Sequence, residues 1–263
     1  MVKACFIAGS LLLGLAGSAF AQDAPESAPA ALPYPDTEIA LLGDERLRRP
    51  SQDVPPPEDE DFTVEATLSA VSDFKRAGLS YTNGKPALQG EFAIEHKSGL
   101  FASVFASNVA DNGGANLELD FSVGYAFPIG KFEGLIGVID YMTPGVPDSN
   151  FYELQAGLTR QIGESELGLN LSYSPSQKNI GGEDNLYLGA TAEVPLKMVP
   201  VTISAAAGVE NGAFGDYKID WSLGGTYTIA EKFDLGLTYV DSARTFGDVL
   251  LKPKLVFSLS TTF

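Results

Sequence analysis

The chain has one cysteine, one histidine and one tryptophan in 263 residues. A single cysteine excludes a disulfide scaffold and Cys-rich zinc sites. A single histidine leaves little for His-based catalysis or metal binding. Basic residues are scarce too. Lys plus Arg is 17 against 34 Asp plus Glu, a net charge of −17, which excludes nucleic-acid binding by a basic surface. Outside residues 1–21 there is no run of 18 apolar residues, so no helical membrane span is available. The length allows one large domain or two small ones.

Residues 1–21 read as a processing segment. Lys3 supplies a positive start, Phe6 to Gly17 an apolar run, and Ala19-Phe20-Ala21 a small-x-small cleavage site before Gln22-Asp23. An anchor helix is the alternative, but the stretch is short and ends in small residues. Cys5 lies ahead of the apolar run, the wrong place for a lipoprotein cleavage site, so the expected mature chain is thiol-free. Residues 22–61 carry eight of the sixteen prolines and end in Pro55-Pro56-Pro57-Glu58-Asp59-Glu60-Asp61. Such a stretch cannot bury enough apolar area to offset its ordering entropy and reads as an extended, flexible, acidic segment. Within it, Thr37 to Leu42 is less polar: a sticky patch in a linker, or a short helix formed against a partner or a pore wall.

From Phe62 the pattern changes. Leu117, Leu119, Phe121, Val123 and Tyr125 interleave with Glu118, Asp120, Ser122 and Gly124. Phe233, Leu235, Leu237 and Tyr239 interleave with Asp234, Gly236 and Thr238. Strand side chains point alternately to opposite faces, so each block carries one apolar and one polar face. Helical spacing of three and four is missing. Twelve such blocks follow, at about 62–81, 86–96, 99–108, 115–127, 131–142, 151–161, 165–174, 184–194, 200–210, 217–228, 232–241 and 252–263. The first is long, with room for a bulge near Ser72. An even count suits an antiparallel barrel closing its first strand on its last.

The connections alternate in length. Residues 96–99, 128–130, 162–164, 195–200 and 230–231 form short turns. Residues 110–114, 143–150, 175–183, 211–216 and 242–251 form longer, more polar loops. The eight prolines after residue 61 fall in connections or at strand starts, where no ladder donor is lost. Aromatics gather at block ends: Phe62, Tyr125, Phe127, Tyr141, Tyr152, Tyr173, Tyr217, Tyr227, Phe233 and Tyr239, as in the two girdles of a bilayer-spanning barrel. Leu255, Phe257, Leu259 and the final Phe263 share a face and resemble the C-terminal motif read by outer-membrane assembly machinery. Together these predict an all-β, antiparallel transmembrane β-barrel with short periplasmic turns and longer outer loops, exported to the bacterial outer membrane. The alternative is a soluble β-sandwich or lipocalin-like barrel with its apolar face inward.

Val71-Ser72-Asp73-Phe74-Lys75-Arg76-Ala77-Gly78, followed by Lys85-Pro86-Ala87-Leu88-Gln89-Gly90, resembles the opening of the TorF-type family of outer-membrane porins of Gram-negative bacteria. His96 to Ala102, Ala106 to Val109, Leu117 to Asp120 and the closing Val256 to Phe263 are similar to that family as well. The resemblance covers residue 62 to the end and implies an outer-membrane barrel. The family's pattern places two basic residues around an aromatic; here Lys75 and Arg76 are adjacent and Ala77 stands in the second basic position, so on one strand only one charge faces inward.

With the apolar face toward lipid, the lumen collects Glu65, Asp73, Glu91, Glu95, Glu118, Asp120, Glu153, Glu193, Glu210, Asp220 and Asp234, opposed by Lys75, Lys218, Lys252 and Lys254. An excess of carboxylates lowers the barrier for cations and raises it for anions. The expected function is a porin, a passive, cation-preferring diffusion channel for small hydrophilic solutes. A closed or binding barrel without transport is the alternative, since a twelve-stranded interior can be packed or plugged. A membrane-barrel enzyme is disfavoured: His96 sits in a short turn, and no carboxylate pair stands out. No cofactor or metal ligand set is expected. The expected partners are outer-membrane lipid and the assembly machinery, with no nucleic acid.

Overall fold

The computed structural model describes residues 61–263, apart from 113–114, 231 and 245–248. The expected processing segment, 1–21, and nearly all of the expected flexible segment, 22–61, lie outside the described residues.

Twelve antiparallel strands close into a barrel. They are β1 (Phe62–Val71), β4 (Ala87–His96), β5 (Leu100–Asn112), β6 (Ala115–Ile129), β7 (Phe132–Met142), β8 (Phe151–Ile162), β9 (Ser165–Ser174), β10 (Asn185–Pro195), β11 (Val201–Gly212), β12 (Gly215–Ile229), β13 (Phe233–Ala243) and β14 (Lys254–Thr262). Each pairs with its sequence neighbours, and β1 closes on β14 through pairs such as Ser69 with Ser260 and Val71 with Ser258. Closure leaves no edge strand exposed. The two remaining strands, β2 (Lys75–Arg76) and β3 (Leu79–Ser80), form a small hairpin of their own between β1 and β4. Among the described residues no helix is long and apolar enough to cross a membrane.

The barrel is polar inside and apolar outside. Along β13, Phe233, Leu235, Leu237 and Tyr239 are exposed while Asp234, Gly236, Thr238 and Val240 are buried. Along β14, Leu255, Phe257 and Leu259 are exposed and Val256, Ser258 and Ser260 buried. Buried polar and charged residues outnumber buried apolar ones. A water-soluble barrel reverses this arrangement, because an apolar exterior of this extent has no favourable contact with water. A cation on the outer face should therefore be costly. We expect Leu223→Arg, at the middle of β12 with its side chain outward, to lower unfolding stability in lipid vesicles by about 2–4 kcal/mol. Ser222→Arg, on the opposite face, tests whether the cost belongs to the outside alone; urea titration reads both.

The rim holding Asp61 and Phe263 carries short connections throughout: residues 97–99, 130–131, 163–164, 196–200 and 230–232. We call it the turn rim. The opposite, loop rim is more varied than the composition predicts. Residues 143–150 and 175–184 are long, the latter holding a single 3-10 turn at Lys178–Ile180. The expected loops at 110–114 and 211–216 are instead two-residue connections at 113–114 and 213–214, because β5, β6, β11 and β12 continue past their neighbours. The Asn, Asp and Gly content of the strand ends goes with bulges, with register shifts between Asn108 and Asn112 and between Glu210 and Gly212. Pro128 and Pro195 lie at the last residues of β6 and β10, not in connections. The aromatic girdles form at both rims, with Phe62, Tyr227 and Phe233 at one and Tyr152, Tyr217 and Tyr239 at the other. Tyr141 departs from the expectation: it is 4% exposed and belongs to the interior.

Candidate functional site

The expected first strand, 62–81, ends at Val71. Beyond it, residues 72–86 fold inward, and most of their side chains are buried. Two tight turns shape this segment. Ala77 and Gly78 both have positive φ, at 46° and 79°, as a two-residue hairpin between Lys75–Arg76 and Leu79–Ser80 requires. Asn83 and Gly84 repeat the geometry, at 52° and 74°, with the Lys85 amide donating to the Thr82 carbonyl at 3.0 Å. Asp73 anchors the base: its Oδ1 accepts from Ser80 at 2.5 Å and Thr82 at 2.8 Å, while Lys254 lies 3.3 Å from Oδ2.

Apolar packing holds the inner hairpin against the wall. Phe74 sits in a cluster of Val71, Ala87, Phe105, Val109, Val240 and Val256, with Tyr81 packed alongside. The tip crosses the lumen. Ala77 packs against Tyr187 of β10, and a Cβ on Gly78 would fall 1.9 Å from the Ser242 hydroxyl of β13. Gly78 is therefore required twice, by its φ and by this approach. Gly208 clears space for the opposite wall, since a Cβ there would strike the Tyr187 ring.

Lys75 and Arg76 leave the hairpin in different directions, and both are buried. The single-strand geometry that would force one of them outward does not apply, because this segment is not part of the barrel wall. Lys75 Nζ donates to three carbonyls, those of Gly78 at 2.8 Å, Lys252 at 2.9 Å and Leu250 at 3.4 Å. Burial pushes its ammonium below the ordinary lysine value, and Asp73 pulls the other way. Arg76 reaches β6, with Nη2 2.5 Å from Glu118 Oε1 and 3.8 Å from Asp120. Its guanidinium lies 4.6 Å from the centre of the Tyr81 ring and 4.9 Å from that of Tyr141. Burial works against the charge on Arg76, but Glu118, Tyr81 and Tyr141 outweigh it and hold the group above its ordinary value. Burial also pushes the Tyr81 phenol up to about 12.

The remaining expected lumen residues distribute around this hairpin. Glu65, Glu95, Glu118, Asp120, Glu153, Glu193, Glu210, Lys218, Asp220 and Asp234 are all buried on the inner face, and Glu91 is half-buried there. Several join into networks. Lys218 pairs with Glu210, its cross-strand neighbour, whose other oxygen accepts from Asn185 at 3.0 Å. Glu153 accepts from Tyr141 at 3.2 Å, Gln155 at 3.2 Å and Ser174 at 3.1 Å. Tyr187 donates to Asp220 at 3.1 Å. Asp73 and Lys75 belong to the hairpin rather than the wall, and Lys252 and Lys254 lie at its outer edge. Sequence reasoning missed Arg76, Tyr141 and Tyr187. The available sign was the row of large apolar or aromatic residues at inward positions, Phe105, Tyr141, Tyr187, Val240 and Val256, which need something inside to cover them. Leu255, Phe257, Leu259 and Phe263 form one exposed outer row at the seam beside β1. His96 ends β4, its Nδ1 2.8 Å from the Ser98 hydroxyl in the following turn. Among the described residues no group of three or more His, Cys, Asp or Glu is arranged to hold a metal ion.

A model of the Gcw_chp family, described as bacterial proteins of unknown function, matches residues 57–263. The chain belongs to the Gcw_chp family. A search of curated proteins gave no match. Among solved structures, this Gcw_chp protein is similar to a KdgM porin, at 9% identity and a TM-score of 0.51, over 76% of this chain and 98% of that one. It is similar to a NanC porin at 10% identity and a TM-score of 0.52, over 76% and 99% of the two chains. At such identities the likeness is one of fold: this Gcw_chp chain has the porin type of closed antiparallel barrel.

Proposed function

We propose that this Gcw_chp protein is an outer-membrane porin: a narrow, passive channel for small hydrophilic solutes in which the inner hairpin, residues 72–86, forms the constriction. The observation that carries this reading is the inverted barrel, with Leu, Phe and Tyr outside and Glu, Asp, Ser and Thr inside. Exposed apolar strands of 9 to 15 residues are long enough, when tilted, to cross a hydrocarbon layer. On the inner face, both amide atoms of Asn170 and the hydroxyls of Ser172, Ser204 and Thr226 are buried without a protein partner. Groups so placed are normally satisfied by water, which supports an aqueous interior. The resemblance of Val71–Gly90 to TorF-type porins supports the same assignment and its Gram-negative setting. On this reading the turn rim faces the periplasm after removal of residues 1–21, and Leu255, Phe257, Leu259 and Phe263 present the assembly motif.

The interior carboxylates, Glu118, Asp120, Glu153, Glu193, Glu210, Asp220 and Asp234 among them, outnumber the interior cations Lys75, Arg76 and Lys218. This excess gives the channel a preference for cations. In planar bilayers under a KCl gradient, we expect discrete current steps with a reversal potential that favours potassium. A reversal potential favouring chloride contradicts the preference. A second reading, a closed barrel without transport, is favoured by the reach of the hairpin from β1 to Tyr187 on the far wall. Absence of current steps from the intact chain, with steps appearing once the hairpin is removed, would establish that reading instead.

A further inference from the structure

We propose that the loop-rim face of the inner hairpin is a binding site for a small dicarboxylate. A cavity of about 400 Å³ lies between the hairpin and the segment Leu250–Lys254, lined by Asp73, Lys75, Ser80, Asn83, Lys252 and Lys254 among others. That volume is in the range of small-molecule sites. Its charge runs against the rest of the chain. Three lysines meet one aspartate, in a protein whose net charge is −17.

Among the described residues, only one of those three cations has a carboxylate at ion-pair distance. Lys254 faces Asp73 at 3.3 Å, and Asp73 is otherwise engaged by Ser80 and Thr82. Lys75 spends its donors on three neutral carbonyls and is not within ion-pair distance of a described carboxylate, though Asp73 and Asp241 act on its charge at longer range. Lys252 is exposed and makes no ion pair among the described residues. Two net positive charges at a concave, partly walled site concentrate the field on whatever occupies it. The cavity supplies no guanidinium fork, and the amide of Gly84 beside it already donates to Ser80 at 3.0 Å. Ammonium point charges attract carboxylates and phosphates alike, but the cavity lacks the nest of free backbone N–H groups that cradles a phosphate, which leaves a carboxylate as the better fit. Two such charges match a two-carboxylate solute. The Asn83 side-chain amide, on the exposed turn, adds a donor at the same wall.

The inference deepens the channel reading by naming what is captured at one mouth, but its test needs no conduction. The full chain, folded in detergent, is titrated with carbon-13-labelled succinate by NMR, with succinamide as the neutral control and inorganic phosphate as a second anion. We expect saturable succinate binding, no saturation by succinamide, and weaker binding as salt is raised. Lys252→Glu should weaken succinate by about tenfold or more. Lys178→Glu, on the same rim but outside the cavity, should leave it unchanged, and unaltered gel mobility confirms that both variants fold. The proposal is overturned by succinamide binding as well as succinate, by phosphate binding where succinate does not, by indifference to Lys252→Glu, or by no saturable binding. Any of these leaves the current steps expected of the unliganded channel intact, and a silent channel that still binds succinate would separate the two readings in the other direction.

Discussion

Replacing residues 72–86 with an Asn-Gly turn is expected to raise single-channel conductance severalfold. The exchange is geometrically simple. Val71 and Ala87 are direct partners in the β1–β4 ladder, so a two-residue hairpin turn can join them without shifting the register. The segment removed is the one that crosses the lumen, from the Phe74 seat on the β1 side to the Ala77–Tyr187 contact on β10. Glu118 and Asp120 lose Arg76 but become accessible to water, which solvates them well. Phe105, Val109, Val240 and Val256 become exposed to the lumen, so a modest fall in stability accompanies the larger current. Selectivity for potassium should sharpen, because Lys75 and Arg76 leave while the wall carboxylates stay. Conductance equal to that of the intact chain would mean that the constriction lies elsewhere.

Arg76→Met should release the hairpin without removing it. Arg76 is the cation for Glu118 and Asp120, and its guanidinium rests against Tyr81 and Tyr141. Taking one partner from a buried, hydrogen-bonded ion pair costs about 3–5 kcal/mol. Here the cost falls on docking, because the barrel strands keep their own ladders while the hairpin can swing into water. Trypsin reads this directly. The Lys75–Arg76 bond is a substrate sequence that burial protects in the intact protein. In the variant, the bond after Lys75 remains a tryptic site. When opening is fast relative to cutting, cleavage follows the open population, so it should accelerate by at least about a hundredfold. A companion Arg76→Met, Glu118→Gln, Asp120→Asn variant should recover much of the protection, since neutral amides tolerate burial better than unpaired carboxylates. Cleavage at the wild-type rate would show that the ion pair does not hold the hairpin.

The strands were legible because the alternation of apolar and polar residues is both local and strict. Leu117 to Tyr125, or Phe233 to Tyr239, fixes period and face together, and a closed sheet with one lipid-like and one polar surface tolerates few exceptions. Two kinds of feature escaped. Lys75 to Ser80 keeps the strand period, so it reads as a continuation of β1, while the positive-φ pair Ala77-Gly78 that turns it inward lacks the stronger Asn-Gly signature found six residues later at Asn83-Gly84. The contact of Arg76 with Glu118 spans 42 residues of chain and leaves no local periodicity. The interior positions of Phe105, Val240 and Val256 break the polar parity where Phe74 of the hairpin covers them, and Tyr141 does so beneath Arg76. The loop-rim connections between β5 and β6 and between β11 and β12 look longer in sequence than the strand bounds make them, because Gly, Asn and Asp serve bulged strand ends as readily as open loops.

Trp221, the single tryptophan of the chain, tests the central claim directly. It lies near the middle of β12, is 37% exposed and points away from the interior. After reconstitution into vesicles, its fluorescence should be blue-shifted, quenched strongly by lipids brominated deep in the acyl chain, and indifferent to aqueous iodide. Red-shifted emission that iodide quenches and bromolipid does not would place the apolar face of the barrel in water or against protein, and would contradict the account.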